Sequence, residues 1–510
     1  MAVHPGGELP IAVVAFAFVL VLFAALLAPA QQDAVQQHAQ QQSLAPAAQP
    51  PSSQPQQPGA GTQVQTGTSS GLTVDARVQN LLADHQYARV AAQLNKLPPE
   101  EAQLYRGVLA NRSNELKQSV AFLEPLVDRV TASGDTAHEK LLREALAEDY
   151  LRLGDWAKAA KAYKALDTRL HTKLTPDEQD QIEMPLKLLP LAENDPPETV
   201  DPCDPFELQI TIDPLGLIDV PVFVDADSHS WMLDPTLPFN LIARSTAKAV
   251  GLKLSDEAAT IRTLTGRPIK VHVTVVPRFT IGGRLTIRNM TAFVFDDADY
   301  SFPRSGYQVE GVLGYPALAA IGSLTVNADE TIDVRPAMQI APPAKDDRLT
   351  GGAPFYLDGD QVIVALKRVR QAGEQAADSA APPDPTAQAG ATAASALSDD
   401  RMYVIDAGGQ QTYLTSRYFD EHAAAFNNMK VNLYTPQGES SGPQPSYVAE
   451  TVPLRIGNAT IDLHYIRVLT EPLGSSALDD VYGVLGADAL GQLKSYTFDY
   501  RTMRFNAMGQ

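Results

Sequence analysis

Two aspartates of this 510-residue chain stand at the ends of apolar segments, where a carboxyl group can serve as an acid or a base. Asp406 follows the apolar run Tyr403–Ile405 and precedes the small residues Ala407–Gly409. Asp234 follows Trp231–Leu233 in the same way. A carboxylate at the end of a buried strand costs free energy unless it is hydrogen-bonded or used. Both aspartates are therefore candidate functional residues.

The sequence around the two aspartates repeats at a constant interval. Asp234 and Asp406 are 172 positions apart, and Gly311 and Gly483, which each open a Gly-Val-Leu-Gly segment, are separated by the same interval. Between these landmarks each copy has a strand pattern that stops at a glycine turn and resumes, as around Ile281–Gly283. Landmarks in the same order and at nearly the same spacing indicate an internal duplication.

Each copy resembles one lobe of the retropepsin-like and pepsin-like aspartic peptidases. In that family an apolar strand leads to an Asp-Thr/Ser-Gly loop, and an apolar-apolar-Gly segment follows further along the chain. The resemblance covers residues 205–338 and residues 354–510, with a linker at residues 339–353. It implies two all-β lobes in one chain.

The resemblance also implies the residues of a site between the lobes. Asp234 and Asp406 would form the catalytic pair, and Gly408 would lie beside the substrate. The two flap hairpins would supply further substrate-binding residues, namely Thr265, Gly266 and Gly438. No cofactor and no metal ion is expected at such a site.

The chemistry of an aspartate pair explains why both lobes are needed. Two carboxyl groups about 3 Å apart cannot both ionise, so they share one proton and titrate as a unit. The ionised partner takes a proton from water, while the protonated partner donates a hydrogen bond to the scissile carbonyl. The expected activity is therefore that of an aspartic endopeptidase acting on peptide or protein substrates.

Both loops depart from the family pattern. The first lobe has Pro235 and Thr236 after its aspartate, and the second has Ala407 in place of Thr or Ser. Proline has a fixed φ and no amide hydrogen, and a β-branched threonine poorly replaces a glycine. The alternative hypothesis is accordingly a catalytically degenerate module that binds peptides or acts as an envelope scaffold.

The composition limits the classes of partner. The chain has 60 acidic and 40 basic residues and a net charge of −20, which disfavours binding to nucleic acid or to an anionic membrane surface. Its single cysteine, Cys203, excludes an intrachain disulfide. A lone thiol without a histidine partner is not expected to be a nucleophile.

The first 71 residues have the composition of a targeting segment and a tether. Residues 11–28 are apolar and end in Ala28-Pro29-Ala30, a small-x-small pattern that predicts a signal peptide within residues 1–30. The run is also long enough to span a bilayer, so an uncleaved membrane anchor is the alternative. Both interpretations predict export, to the periplasm or as a secreted protein. Residues 31–71 are rich in Gln, Pro, Ala, Ser and Gly, which predicts a disordered linker.

Residues 72–192 have helical periodicity. Tyr150–Leu153, Gly154 and the segment Trp156–Tyr163 place apolar and small residues at three-and-four spacing around a glycine turn, as in a tetratricopeptide-like (TPR-like) hairpin. Such a domain could dock a protein partner or simply pack on the lobes. The predicted fold class is multidomain α + β, with N-terminal helical hairpins followed by a bilobal all-β acid-protease-like fold.

Other patterns give local expectations. Asn240–Val250 has helical spacing, and residues 371–400 are rich in Ala, Pro, Asp and Ser, which predicts a disordered insert in the second lobe. Gly438–Gly442 matches a nucleophile-elbow pattern but lacks the strand-to-helix context that this motif needs. The nine histidines show no zinc-protease spacing.

Overall fold

The structure is a computed structural model that describes most of the chain after residue 72. The described residues are 73–262, 268–302, 306–337, 352–359, 361–367, 400–409, 411–427, 429–435, 443–457, 459–473 and 476–509. The predictions for residues 1–71 lie outside these ranges, and so do residues 339–351 of the predicted linker (339–353) and residues 371–399 of the predicted insert (371–400).

The first part of the described chain is helical, as its periodicity predicts. The helices are Val74–Ala83 (α1), Tyr87–Ala91 (α2), Pro99–Arg112 (α3), Leu116–Leu123 (α4), Val127–Ser133 (α5), Thr136–Arg152 (α6), Trp156–Leu170 (α7) and Pro176–Ala192 (α8). Gly154 joins α6 to α7 with a φ of +70°, a conformation that glycine adopts at little cost. No helix among the described residues is long and apolar enough to cross a membrane.

Side-chain caps fix where the longer helices begin. The Asp155 carboxylate accepts a hydrogen bond from the Lys158 amide at the start of α7. At the start of α8, Thr175 and Glu178 form a reciprocal capping box, and Pro176 occupies the first helical position. Each cap satisfies amide groups that have no partner within the helix. The capped helices pack into an apolar core that continues into the first lobe.

The first lobe is built mostly from strands. They are Thr199–Val200 (β1), Phe206–Gln209 (β2), Thr211–Ile212 (β3), Ile218–Val224 (β4), Asp227–Leu233 (β5), Asn240–Ala243 (β6), Ala259–Arg262 (β7), Pro268–Ile281 (β8), Leu285–Phe295 (β9), Ser301–Phe302 (β10), Tyr307–Gln308 (β11), Gly311–Leu313 (β12), Ser323–Asn327 (β13) and Thr331–Arg335 (β14). Two short helices, Arg244–Ala249 (α9) and Tyr315–Ile321 (α10), interrupt them.

The second lobe repeats most of this order of strands and short helices. Its strands are Ala353–Asp358 (β15), Gln361–Lys367 (β16), Asp400–Ile405 (β17), Tyr413–Leu414 (β18), Asn432–Tyr434 (β19), Gln444–Ile456 (β20), Ala459–Leu469 (β21), Gly483–Leu485 (β22), Ser495–Asp499 (β23) and Arg504–Met508 (β24). Its helices are Ser416–His422 (α11), Ser476–Asp479 (α12) and Ala487–Leu490 (α13).

The segment Asn240–Val250, which has helical spacing, is in part a strand. Asn240–Ala243 forms β6, and the helix α9 begins only at Arg244, so the prediction is wrong for the first four residues. A short apolar run fits a buried strand and a buried helix equally well. Here Leu241 and Ile242 pair with β12 on one side, and β6 also pairs with β9 on the other.

The two large sheets confirm the α + β fold class and reveal the symmetry of the duplication. Among the described residues, a sheet of nine strands runs β1-β9-β6-β12-β5-β4-β8-β7, with β3 on β4, and a sheet of thirteen runs β19-β20-β21-β18-β22-β17-β16-β15-β24-β23-β13-β14-β2. Thr325 and Thr497, 172 positions apart, are antiparallel partners where β13 meets β23. Their hydroxyl oxygens are 2.8 Å apart. Equivalent residues that pair with each other mark a pseudo-two-fold axis between the lobes.

The helical region also contacts the second lobe through a buried ionic cluster. An Arg112 guanidinium nitrogen lies 2.7 Å from Asp358 of β15 and another lies 2.6 Å from Glu148 of α6. The Tyr87 hydroxyl donates a 2.7 Å hydrogen bond to Asp358. Burial alone would raise the pKa of Asp358, but Arg112 and His85 outweigh it and hold that pKa well below its usual value.

Replacing Arg112 with Ala is expected to destabilise the protein by about 3 kcal/mol, because the buried Asp358 carboxylate loses its guanidinium partner, whereas Glu148 keeps Arg152. Chemical unfolding at pH 7 measures this loss. Arg129→Ala is the matched control, since Arg129 pairs with Glu100 at the exposed surface and its loss should cost less than about 1 kcal/mol. Equal losses in the two variants would contradict the buried-cluster interpretation.

Candidate active site

The Asp234 loop is held at the end of β5 by the strand beside it. Strand β12 runs parallel to β5, and the Leu313 carbonyl accepts a 3.0 Å hydrogen bond from the Asp234 amide. The Asp234 Oδ1 accepts hydrogen bonds from the Thr236 amide at 2.9 Å and from its hydroxyl at 2.6 Å. The carboxyl group is therefore fixed by its own loop.

The Asp406 loop is held in the same way, 172 positions later. Strand β22 runs parallel to β17, and the Leu485 carbonyl accepts a 3.0 Å hydrogen bond from the Asp406 amide. The Gly409 amide donates to the Asp406 carbonyl at 3.1 Å, and the Ala487 amide donates to the Gly409 carbonyl at 2.8 Å. In both lobes the apolar-apolar-Gly segment therefore packs against the aspartate loop.

A side chain six positions after each aspartate fastens these segments. Asn240 accepts a 3.0 Å hydrogen bond from the Gly314 amide, and Thr412 accepts a 2.8 Å hydrogen bond from the Gly486 amide. Both side chains are buried. The sequence motifs did not single out these two residues, although both stand at the same offset from an aspartate.

The two loops meet at Gly408. A Cβ atom built on Gly408 would lie 2.5 Å from the Asp234 Cγ and 2.6 Å from its Oδ2. One built on Gly409 would lie 2.2 Å from the Oδ2 of Asp406. The structure therefore brings the Asp234 carboxyl against the loop that begins with Asp406. Of the predicted substrate-binding residues, Gly408 lies at this contact, and Thr265, Gly266 and Gly438 fall outside the described residues.

The departures from the family pattern are also visible here. Pro235 and Ala407 are buried and carry no hydroxyl group, so neither can brace the opposite loop by a side-chain hydrogen bond. The direct contact at Gly408 and the hydroxyl pair of Thr325 and Thr497 join the lobes instead.

Burial raises the pKa of Asp234, and the hydrogen bonds from Thr236 and from the Leu237 amide offset this only in part. Burial, then Tyr315 and then the charge of Asp234 raise the pKa of Tyr500, which directly follows β23. Among the described residues, no group of three or more His, Cys, Asp or Glu side chains is arranged to hold a metal ion.

Replacing Asp234 with Asn is expected to stabilise the protein at neutral pH. Since the folded pKa is raised, the wild-type chain loses stability as the pH rises from the unfolded value, about 3.9, through the folded value. Asn cannot ionise, and its oxygen still accepts the bonds from Thr236. Melting temperatures should coincide near pH 3 and diverge in favour of the variant toward pH 7. A variant that is less stable at pH 7 would contradict the raised pKa.

Comparison with known proteins agrees with this part of the geometry. Residues 220–317, from β4 to α10, match the family model described as aspartyl protease. No curated protein sequence matches the chain.

The chain is also similar to solved structures, among them those of two proteins. The chain is similar to a retropepsin-like aspartic protease from Rickettsia conorii, with 16% identity over 26% of this chain and 94% of that one and a TM-score of 0.20. It is also similar to Basic 7S globulin from soybean, with 9% identity over 61% of this chain and 97% of that one and a TM-score of 0.34. The family match identifies residues 220–317 as an aspartic protease-like module.

Proposed function

We propose that the protein is an exported aspartic endopeptidase that hydrolyses peptide bonds with a water molecule activated by Asp234 and Asp406. The observation that carries this proposal is the contact of Gly408 with the Asp234 carboxyl, because it assigns both aspartate loops to one site. The aspartyl protease match supports the same chemistry for the first lobe.

The environment of Asp234 suggests how the two carboxyl groups divide their roles. Burial raises the pKa of Asp234, which favours the protonated form that donates a hydrogen bond to the scissile carbonyl. Asp406 is then the ionised partner that accepts a proton from the attacking water. Export by the segment at residues 11–28, and a tetratricopeptide-like role for the helical region, belong to the same proposal.

The proposal is tested by incubating the purified chain with an unfolded substrate, a reduced and alkylated protein, from pH 3 to pH 7.5, with and without a metal chelator. Mass spectrometry should detect new peptide ends in at least part of this range, with no loss on chelation. The absence of cleavage at every pH would refute the enzymatic function.

A second candidate function is peptide binding without turnover. The specific observation in its favour is that the amide and the hydroxyl of Thr236 both donate hydrogen bonds to one oxygen of Asp234. In the same loop, Pro235 stands where the family has a hydroxyl residue. Saturable binding of an unfolded peptide, with no cleavage and no competition by a pepstatin-like inhibitor, would favour this function over the first.

A further inference from the structure

The helical region covers one of two symmetry-related positions beside the aspartate loops. Phe239, five residues after Asp234, is 1% exposed and packs against Trp156 at the start of α7, with ring centroids 6.4 Å apart. Its equivalent in the second lobe, 172 positions later, is Gln411, which is exposed. The pseudo-two-fold axis therefore relates a covered position to an open one.

The turns that lead into the hairpins β4–β5 and β16–β17, which end at the two aspartates, show the same asymmetry. Asp358, at the turn between β15 and β16, is bound by Arg112 and Tyr87 of the helical region. The corresponding turn of the first lobe, between β3 and β4, contains Pro214 and Gly216, and both are exposed.

A third pair of equivalent positions lies just after the aspartate loops, at the start of the short helices α9 and α11. An Arg417 guanidinium nitrogen of α11 lies 2.9 Å from the Asp84 carboxylate at the end of α1. Its equivalent, Ser245 of α9, is exposed and hydrogen-bonds to Asp297 within its own lobe.

The three covered positions come from both lobes, and all three contact the one helical region. Among the described residues, those at the three equivalent positions are exposed. The covering is part of the protein core, because Ile269, Val271 and Val273 of β8 are buried in one apolar cluster with helix residues such as Leu166 and Leu188. The helical region therefore forms a packed wall, and moving it away from the lobe would expose these apolar side chains to water.

We propose that the helical region closes one side of the substrate path, so that a peptide binds with one terminus at the wall and is cut only a few residues from that terminus. This inference rests on the proposed peptidase function. It follows because an extended strand advances by about 3.3 Å per residue and cannot continue through a packed helical region. The substrates would be unfolded peptides with an accessible chain end, and the other end could be of any length.

Four forms of one unstructured peptide test this inference on the wild-type chain. The first has two free ends, two others carry a small folded protein at the amino or the carboxyl end, and the last carries it at both. Blocking one particular end should lower kcat/KM by at least about a hundredfold, and blocking the other should change it less than about threefold. The doubly blocked peptide should behave like the slower single fusion.

Each outcome decides the inference. Products that all end at a fixed short distance from the same terminus support it. Equal cleavage of both single fusions, or cleavage in the interior of the doubly blocked peptide, overturns it while leaving the peptidase function intact. No cleavage of the free peptide overturns the proposed function, and the one-sided substrate path falls with it.

Discussion

Replacing Asp406 with Asn is expected to lower kcat for peptide hydrolysis by about a thousandfold or more, because the pair loses the base that takes the proton from water. The main-chain contacts of Asp406 with Leu485 and Gly409 do not involve its carboxyl group, so the fold should persist. Steady-state kinetics and circular dichroism on the same sample measure the two effects.

Two comparisons make this result specific. Asp420→Asn, on the exposed surface of α11 in the same lobe, should retain full activity. Asp234→Asn should lose about as much activity as Asp406→Asn, and the double variant should lose little more, because residues that act as one unit are not additive. Retention of a tenth or more of the wild-type kcat in Asp406→Asn would remove Asp406 from the mechanism.

Replacing Gly408 with Ala is the second change with a large expected effect. The new methyl group would lie 2.5 Å from the Asp234 Cγ, well inside van der Waals contact. The Asp234 carboxyl cannot simply rotate away, since Thr236 holds it through two hydrogen bonds. The loops must separate, so we expect kcat to fall about a hundredfold, because positioning at this scale governs the reaction.

Gly509→Ala is the control for the Gly408 variant. Gly509 is exposed, and the nearest atom to its added Cβ would be 3.8 Å away, an ordinary contact. That variant should keep both its activity and its melting temperature, whereas Gly408→Ala should lose activity and melt at a lower temperature. Wild-type activity in Gly408→Ala would show that the two loops do not have to touch for catalysis.

The sequence by itself determined the repeat and the local elements. The 172-residue interval correctly relates the strand pairs that hold the two loops, because hydrophobic strands and glycine turns are encoded locally and were copied together. The helical hairpin at Gly154 could also be predicted from the sequence, since the 3.6-residue period and a left-handed glycine are both local properties.

Only the tertiary structure decided what these elements touch. It made Asn240–Ala243 a strand, because β12 and β9 offered hydrogen bonds that a helix start would have left unused. It placed Gly408 against Asp234, and it buried Phe239 under Trp156 while leaving Gln411 exposed. These contacts join residues that are distant in the chain, and the periodicity of a segment carries no information about which distant surface will cover it.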